Sequence, residues 1–282
     1  MRVKLWGTRG AIPSPEPANL GYGGNTCCVE VEAGDGGRLI LDGGIGAHSL
    51  GKEMLRADFG RGQGEAHMLL ARSQWDHIQG IPFFIPLLIE GNRFTVCGRG
   101  GRGTTLARTL EAQMERAYCP VPNFLRPEIG ADLEIKELGA SGEFAVGGTR
   151  VLYRRAGGGP FEDGLGFRLE ADGAALAYLP SVEYADDADR QNALELADGA
   201  DLLLHDAYYS PAEHESRRGK GHASDADAVH LARESGARRL RFFHYHPDHD
   251  DAFIDARVAA YRDSGLDVAG AREGEELVLG DI

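Results

Sequence analysis

One strand and the turn after it limit what this chain can fold into. Residues 66–71 are apolar apart from one histidine, as in a strand buried on both faces, and the chain then turns at Arg72 into a short helical stretch. In an open α/β sheet, the loop that leaves the carboxyl end of a strand is the usual place for chemistry. Asp76 and His77 lie in that loop, which makes them candidates for a functional site.

Composition and charge narrow the classes of function. The 282 residues are 42% hydrophobic, which is enough for a full core, and no change in composition marks a linker. We therefore expect one domain over residues 1–282. The formal net charge of −14 repels a polyanion at long range, which argues against nucleic acid as a partner and leaves small substrates open.

The sequence also bears on location and on disulfides. It has no apolar run near twenty residues, and Met1 to Trp6 enters strand-like alternation without a signal-peptide core. We expect a soluble, cytoplasmic protein without a membrane segment. Neighbours on a strand point to opposite faces, so Cys27 and Cys28 are predicted to be two separate thiols.

Hydrophobic periodicity predicts the order of elements. Ser224 and Asp227 form a capping box for a helix that Gly236 ends. The predicted strands are Arg2–Trp6, Cys28–Val31, Arg38–Leu41, Ala66–Ala71, Phe94–Cys97, four or five between Leu133 and Tyr178, Asp201–His205, Leu240–His244 and a final strand pair. The predicted helices are Ala47–Leu55, Thr105–Arg116, Arg190–Ala197, Asp225–Ser235 and Ala252–Asp263. Strands at both ends, a strand-rich middle and intervening helices indicate an α/β fold with two facing sheets and helices outside.

Two connecting segments need an explanation. Asp42 to Gly46 is a strand-to-helix turn with three glycines, which could cradle phosphate but lacks the lysine of a P-loop. A tight turn that needs glycine is the favoured interpretation. Pro120 to Pro127 cannot be a regular helix, so we expect it to be a loop that covers other residues.

Nine sequence blocks resemble the metallo-β-lactamase fold hydrolases, in particular their phosphodiesterase-like and RNase Z-like branch. In chain order they are Leu5–Pro13, Tyr22–Thr26, Leu41–Gly44, Trp75–Gly80, Gln113–Glu115, Gly164–Arg168, Leu204–Ala207, Gly221–Ser224 and Phe243–Pro247. The resemblance implies a four-layered αββα sandwich of two facing mixed β-sheets. It also implies a centre in which two divalent ions, usually zinc, activate water for the hydrolysis of a phosphodiester or an ester.

The first metal site of that family is missing here. Its signature loop has the pattern His-x-His-x-Asp-His, and the two leading histidines fall on Arg72 and Gln74. A third histidine would come from residues 153–161, but no histidine occurs between Ile78 and Leu204. Ser181 stands where the acid that bridges the two ions is expected. A hydroxyl is a weak bridge, and arginine has no lone pair to give to a metal.

The second metal site keeps its protein ligands. The resemblance assigns Asp76, His77 and His244 to it, a set that suits one Zn²⁺ or Fe²⁺ ion. Asp206 and His222 occupy the positions of the acid/base dyad of the RNase Z-like branch. Each assignment has a plainer alternative: Asp76 and His77 as a decayed remnant with no ion bound, and Asp206 with His222 as a structural hydrogen bond.

The vacated first site allows two further interpretations. Arg72, with Arg154 or Arg155, can form a pocket for an anion such as phosphate or carboxylate, together with Gln74 and Ser181. An ordinary salt bridge is the favoured role of Arg72.

The hypotheses of function are therefore ranked. A noncatalytic member of the fold that binds a small anionic ligand or a protein partner comes first, and a single-metal hydrolase that uses Asp76, His77 and His244 comes second. A two-metal phosphodiesterase comes third, because no replacement ligands are found. The Pro-rich loop and the habit of the family suggest a homodimer.

Overall fold

Two β-sheets form the centre of the molecule. The structure is a computed structural model, and it describes residues 1–101, 103–126, 129–157 and 164–280. The strands are β1 (Arg2–Gly7), β2 (Cys28–Glu32), β3 (Arg38–Leu41), β4 (Glu65–Leu69), β5 (Arg93–Gly98), β6 (Asp132–Glu137), β7 (Ser141–Val146), β8 (Thr149–Arg155), β9 (Leu165–Ala171), β10 (Ala174–Leu179), β11 (Leu202–Asp206), β12 (Arg239–Phe243), β13 (Asp267–Gly270) and β14 (Glu276–Val278).

Within the described residues each sheet has seven strands and mixed pairing. The first sheet has the order β14-β1-β2-β3-β4-β5-β6, and the second has the order β13-β12-β11-β10-β9-β8-β7. In the first sheet β3 to β6 are parallel neighbours and the other pairs are antiparallel. In the second sheet β10 to β13 are parallel and β7 to β10 are antiparallel. The carboxyl ends of the parallel strands therefore open toward loops that can carry a site.

Helices cover the outer faces of both sheets. The α-helices are α1 (Gly46–Met54), α2 (Trp75–Ile78), α3 (Leu106–Gln113), α4 (Asp187–Ala197), α5 (Pro211–Ser216), α6 (Asp225–Ser235) and α7 (Asp251–Ala259), with short 3-10 turns at Pro17–Asn19, Asp58–Arg61, Ile81–Phe83 and Ile85–Leu88. One apolar cluster fills the space between the sheets. A second joins the outer face of the second sheet to α4, α6 and α7, and a third joins the first sheet to α1 and α3. The predicted αββα sandwich is confirmed.

Local sequence signals fix the ends of several elements. The predicted capping box of α6 is present, since Ser224 accepts from the Asp227 amide and the Asp227 side chain accepts from the Ser224 amide. Gly236 ends the helix in the left-handed conformation with φ 69°. Cys27 and Cys28 are buried free thiols, as predicted.

The last two strands do not pair with each other, so the prediction of a final strand pair is wrong. β13 lies beside β12 in the second sheet, and β14 lies beside β1 in the first. The connecting turn bridges the two layers, because the amide of Ala271 bonds to Phe242 and the amide of Gly274 bonds to Leu5. The last two strands thus each form one edge of a different sheet.

The two connecting segments have structural roles. An added Cβ at Gly44 would lie 2.4 Å from the carbonyl oxygen of Asp76, and one at Gly43 would lie 2.5 Å from the Ile81 side chain. The Asp42–Gly46 turn thus needs glycine for close packing. The loop after Cys119 covers the outer apolar cluster of the first sheet with the buried Phe124, and Pro127 lies outside the described residues. Among the described residues, no helix is both long and apolar enough to cross a membrane.

Candidate metal centre

The carboxyl ends of the parallel strands bring the predicted site residues together. Arg72 to His77 follow β4, Ser181 follows β10, Asp206 ends β11, and His244 follows β12. These strands come from both sheets, so the site lies where the two layers meet at one end of the sandwich.

Asp76, His77 and His244 form one buried cluster. One ligand atom from each lies within 4.8 Å of the other two. Oδ2 of Asp76 is 2.8 Å from Nε2 of His244 and 3.6 Å from Nε2 of His77. The backbone amide of Ala11 also donates to this oxygen, at 2.8 Å. Three side chains that are distant in sequence therefore point at a common position.

Asp42 holds His77 from behind. Its Oδ2 accepts from Nδ1 of His77 at 2.8 Å and from the Tyr178 hydroxyl at 2.7 Å, and its Oδ1 accepts from the Ala71 amide at 2.7 Å. A proton on Nδ1 leaves the lone pair of Nε2 directed toward Asp76. In metal sites the ligating histidine usually has such a carboxylate on its other nitrogen.

The donor set fits a divalent ion. Nε2 of His77 and Nδ1 of His244 are buried and have no hydrogen-bond partner among the described residues. An unsatisfied buried polar atom costs about 1–3 kcal/mol, a cost that a bound ion on Nε2 of His77 would remove. Two imidazoles and a carboxylate are also a familiar ligand set for Zn²⁺ and Fe²⁺.

The centre also carries an excess of buried negative charge. Asp42, Asp76 and Asp206 are at most 5% exposed. Burial lowers the pKa of His77, but the carboxylates of Asp42 and Asp76 outweigh this effect and raise it above its usual range. Burial also raises the pKa of Asp76, yet His77 and His244 outweigh it and hold that pKa well below the ordinary value. A cation is therefore stabilised at this position.

Asp206 and His222 are in hydrogen-bond contact. Nδ1 of His222 lies 3.0 Å from Oδ2 of Asp206, which also accepts from the Val182 amide. Burial raises the pKa of Asp206 to about 6. Burial, reinforced by the Arg72 cation, lowers the pKa of His222 to about 3, so this histidine is neutral at pH 7. The Tyr208 ring stacks on His222 with a centroid distance of 4.1 Å.

Arg72 is buried next to Ser181. It is 2% exposed, and its Nε and Nη2 donate to the carbonyl oxygen of Ser181 at 3.2 and 2.8 Å. The Ser181 hydroxyl is buried and has no partner among the described residues. Gln74 is half-buried at the start of α2, where its carbonyl accepts from the His77 amide.

Arg154 and Arg155 do not join Arg72, so their proposed place in an anion pocket is wrong. Arg154 pairs with Glu195 at 2.6 Å and Arg155 pairs with Asp189 at 2.9 Å. Both acids belong to α4, which packs on the outer face of the second sheet and draws the two cations away from the centre.

Sequence reasoning missed two groups that support the site. Asp42 was placed in a turn without a role at His77, although a polar residue directly after a strand is a recognisable signal. The backbone amide of Ala11 leaves no signal in side-chain chemistry.

Comparison with known proteins identifies the family. A model described as the beta-lactamase superfamily domain matches residues 46–245, so the chain belongs to the metallo-β-lactamase superfamily. Ribonuclease Z of Haloferax volcanii is 27% identical over an alignment of 317 residues, which covers 100% of this chain and 93% of that protein. The predicted resemblance to the RNase Z-like branch is confirmed.

Solved structures show the same fold. The short form of human tRNase Z has a TM-score of 0.65 with 18% identity and covers 99% of each chain. A diphosphatase of the PhnP family has a TM-score of 0.65 with 17% identity, and the match covers 98% of this chain and 97% of the diphosphatase chain.

Proposed function

We propose that this chain holds one divalent ion, Zn²⁺ or Fe²⁺, on Asp76, His77 and His244 and hydrolyses a small anionic ester there without a second ion. The observation that carries this proposal is Nε2 of His77, which is buried, has no hydrogen-bond partner among the described residues and faces the Asp76 carboxylate at 3.6 Å, while Asp42 holds the other nitrogen. In a site that binds nothing, this nitrogen would remain a buried cost. The geometry thus favours the single-metal hypothesis over a remnant without metal.

The residues around the ion have distinct tasks. A bound divalent ion supplies Lewis-acid polarisation of a carbonyl or phosphoryl oxygen. His222, held by the Asp206 carboxylate at 3.0 Å, is placed to accept or return a proton. The buried guanidinium of Arg72 supplies positive charge at the position of the missing first ion and stabilises an anionic group.

The substrate class follows from the charge of the centre and the names of the relatives. Ribonuclease Z and diphosphatase are names of enzymes that cleave bonds at phosphorus. Arg72 and the Ser181 hydroxyl, which has no hydrogen-bond partner among the described residues, suit a phosphate ester. The net charge of −14 opposes a long polyanion, so we propose a small ester as the substrate.

A second candidate is a noncatalytic protein that binds an anion. The serine in place of the bridging acid favours it, since Ser181 cannot hold two ions together but can donate to a phosphate oxygen. In that case phosphate raises the melting temperature of the wild type and not that of Arg72→Ala.

Metal content separates the two candidates. Protein loaded with Zn²⁺, or with Fe²⁺ without oxygen, should retain one equivalent per chain after gel filtration and hydrolyse bis(p-nitrophenyl) phosphate until a chelator is added. His77→Gln should lose both properties. His249→Gln is the matched control, because His249 is 5% exposed and bonds to Glu213 outside the cluster. Two equivalents, or activity that survives chelation, would contradict a single-ion centre.

A further inference from the structure

The segment Gly7–Ala11, here called the strap, crosses the candidate metal centre. The Gly10 amide donates to the carbonyl of Tyr245 at 3.0 Å, and the Tyr245 amide donates to the carbonyl of Thr8 at 3.1 Å. One residue further, the Ala11 amide donates to Oδ2 of Asp76 at 2.8 Å. The strap therefore links the loop of His244 to the loop of Asp76, two loops that belong to different sheets.

The turn that aims the Ala11 amide is strained. Ala11 has φ 61°, and the Ile12 amide donates to the carbonyl of Gly10 at 2.8 Å, an i to i+2 bond across Ala11. This is the γ-turn with a left-handed central residue, which is rare and costly for any residue with a Cβ. Such a conformation persists only where surrounding contacts hold it.

Gly10 lies flat against His244. A Cβ added to Gly10 would lie 2.5 Å from Cε1, 2.7 Å from Nδ1 and 2.9 Å from Nε2 of that ring. Every one of these atoms belongs to the imidazole, so a side chain at this position would displace the ring and not the backbone. Gly10 thus limits where His244 can lie.

Arg9 anchors the strap from inside. Its side chain is fully buried, and Nε donates to Gly23 at 2.7 Å, Nη1 to His249 at 2.5 Å and Nη2 to Asn19 at 3.4 Å, in each case to the carbonyl oxygen. Burial lowers the pKa of the Arg9 guanidinium. Bonds to carbonyls on both sides fix the strap between the amino-terminal loop and the loop after His244.

We infer that Gly10 and Ala11 are positioning residues that set the ion affinity of the centre, Gly10 through the ring of His244 and Ala11 through Oδ2 of Asp76. The inference rests on the proposed single-ion centre. A strap with a purely structural role would affect stability alone, whereas a positioning role also changes ion affinity.

The test compares two glycines that face aromatic rings. Gly10→Ala drives a methyl group into His244, and Gly64→Ala drives one into Phe59 at 2.3 Å, at the opposite end of β4. Both variants should lose thermal stability. Competition with a chromophoric chelator for Zn²⁺, and the absorption spectrum of the Co²⁺ form, should show at least about a 10-fold loss of affinity in Gly10→Ala only.

A second variant covers the case in which Gly10→Ala fails to fold. Ala11→Gly relieves the left-handed strain and loosens the turn, so it should remain folded and lose about 2–5-fold in ion affinity, the cost of ordering a glycine. If every strap variant that folds binds the ion with wild-type affinity, this inference is overturned and the proposed function stands. A wild type that binds no ion overturns the proposed function and, with it, this inference.

Discussion

Replacing Asp42 by asparagine should weaken ion binding although Asp42 is not one of the proposed ligands. Asp42 is fully buried and has φ 61°, a conformation that asparagine also adopts, so the backbone should be retained. The change removes a negative charge and puts an NH₂ group among three donors, from His77, Tyr178 and Ala71. An amide nitrogen that meets Nδ1 of His77 makes this atom an acceptor and moves the ring proton to Nε2, the atom that should bind the ion.

The expected magnitude follows from this tautomer change. Loss of a carboxylate behind a ligating histidine costs about 10–100-fold in ion affinity, or about 1.4–2.7 kcal/mol. Zn²⁺ titration against a chelator of known affinity measures it directly. Tyr178→Phe is the matched control, because it removes another bond to the same oxygen and should cost about 1 kcal/mol of stability with little effect on the ion. Wild-type affinity in Asp42→Asn would refute the reasoning.

Three further predictions concern stability. Arg257→Met leaves the buried Asp225 without its 2.7 Å ion pair, so the free energy of unfolding measured with urea should fall by about 3–5 kcal/mol. Adding Asp225→Leu to this variant should restore part of that stability. An unchanged free energy of unfolding in Arg257→Met would contradict this prediction. Ser224→Ala removes the cap of α6 and should cost about 1 kcal/mol in the same assay. Burial raises the pKa of Glu213, but bonds from Ser210 and His249 outweigh it and lower the pKa to about 2 from 4.5. The ionised form therefore stabilises the fold above pH 4.5, and in thermal melts the wild type should lose its advantage over Glu213→Gln as the pH falls to 2.

The sequence predicted the fold well because each layer has its own periodic signal. The apolar strand β3 and the helix α6 have the predicted bounds, Arg38–Leu41 and Asp225–Ser235. The error over the last two strands has a simple cause, since short strands with similar patterns do not reveal which sheet they join. That choice depends on the turn around Ala271, whose amide bonds to one sheet while the next residues reach the other.

The site was predictable only where side chains carry the chemistry. Asp76, His77 and His244 could be found because the family pattern fixes them, and the structure brings their ligand atoms together. Arg154 and Arg155 were misplaced because the sequence does not show that α4 offers Glu195 and Asp189 as partners.

Backbone strain marks the same end of the molecule independently of any side-chain motif. Among the described residues, four that are not glycine have a positive φ: Ala11, Asp42, Asp172 and His244. Asp172 lies in the turn between β9 and β10, where a left-handed residue is ordinary. The other three lie at the candidate centre. His244 is a proposed ligand, the Asp42 carboxylate bonds to the ligand His77, and the Ala11 amide donates to the ligand Asp76. Strain and buried charge are both costs to folding, and their coincidence at one position favours a selected function over a structural accident.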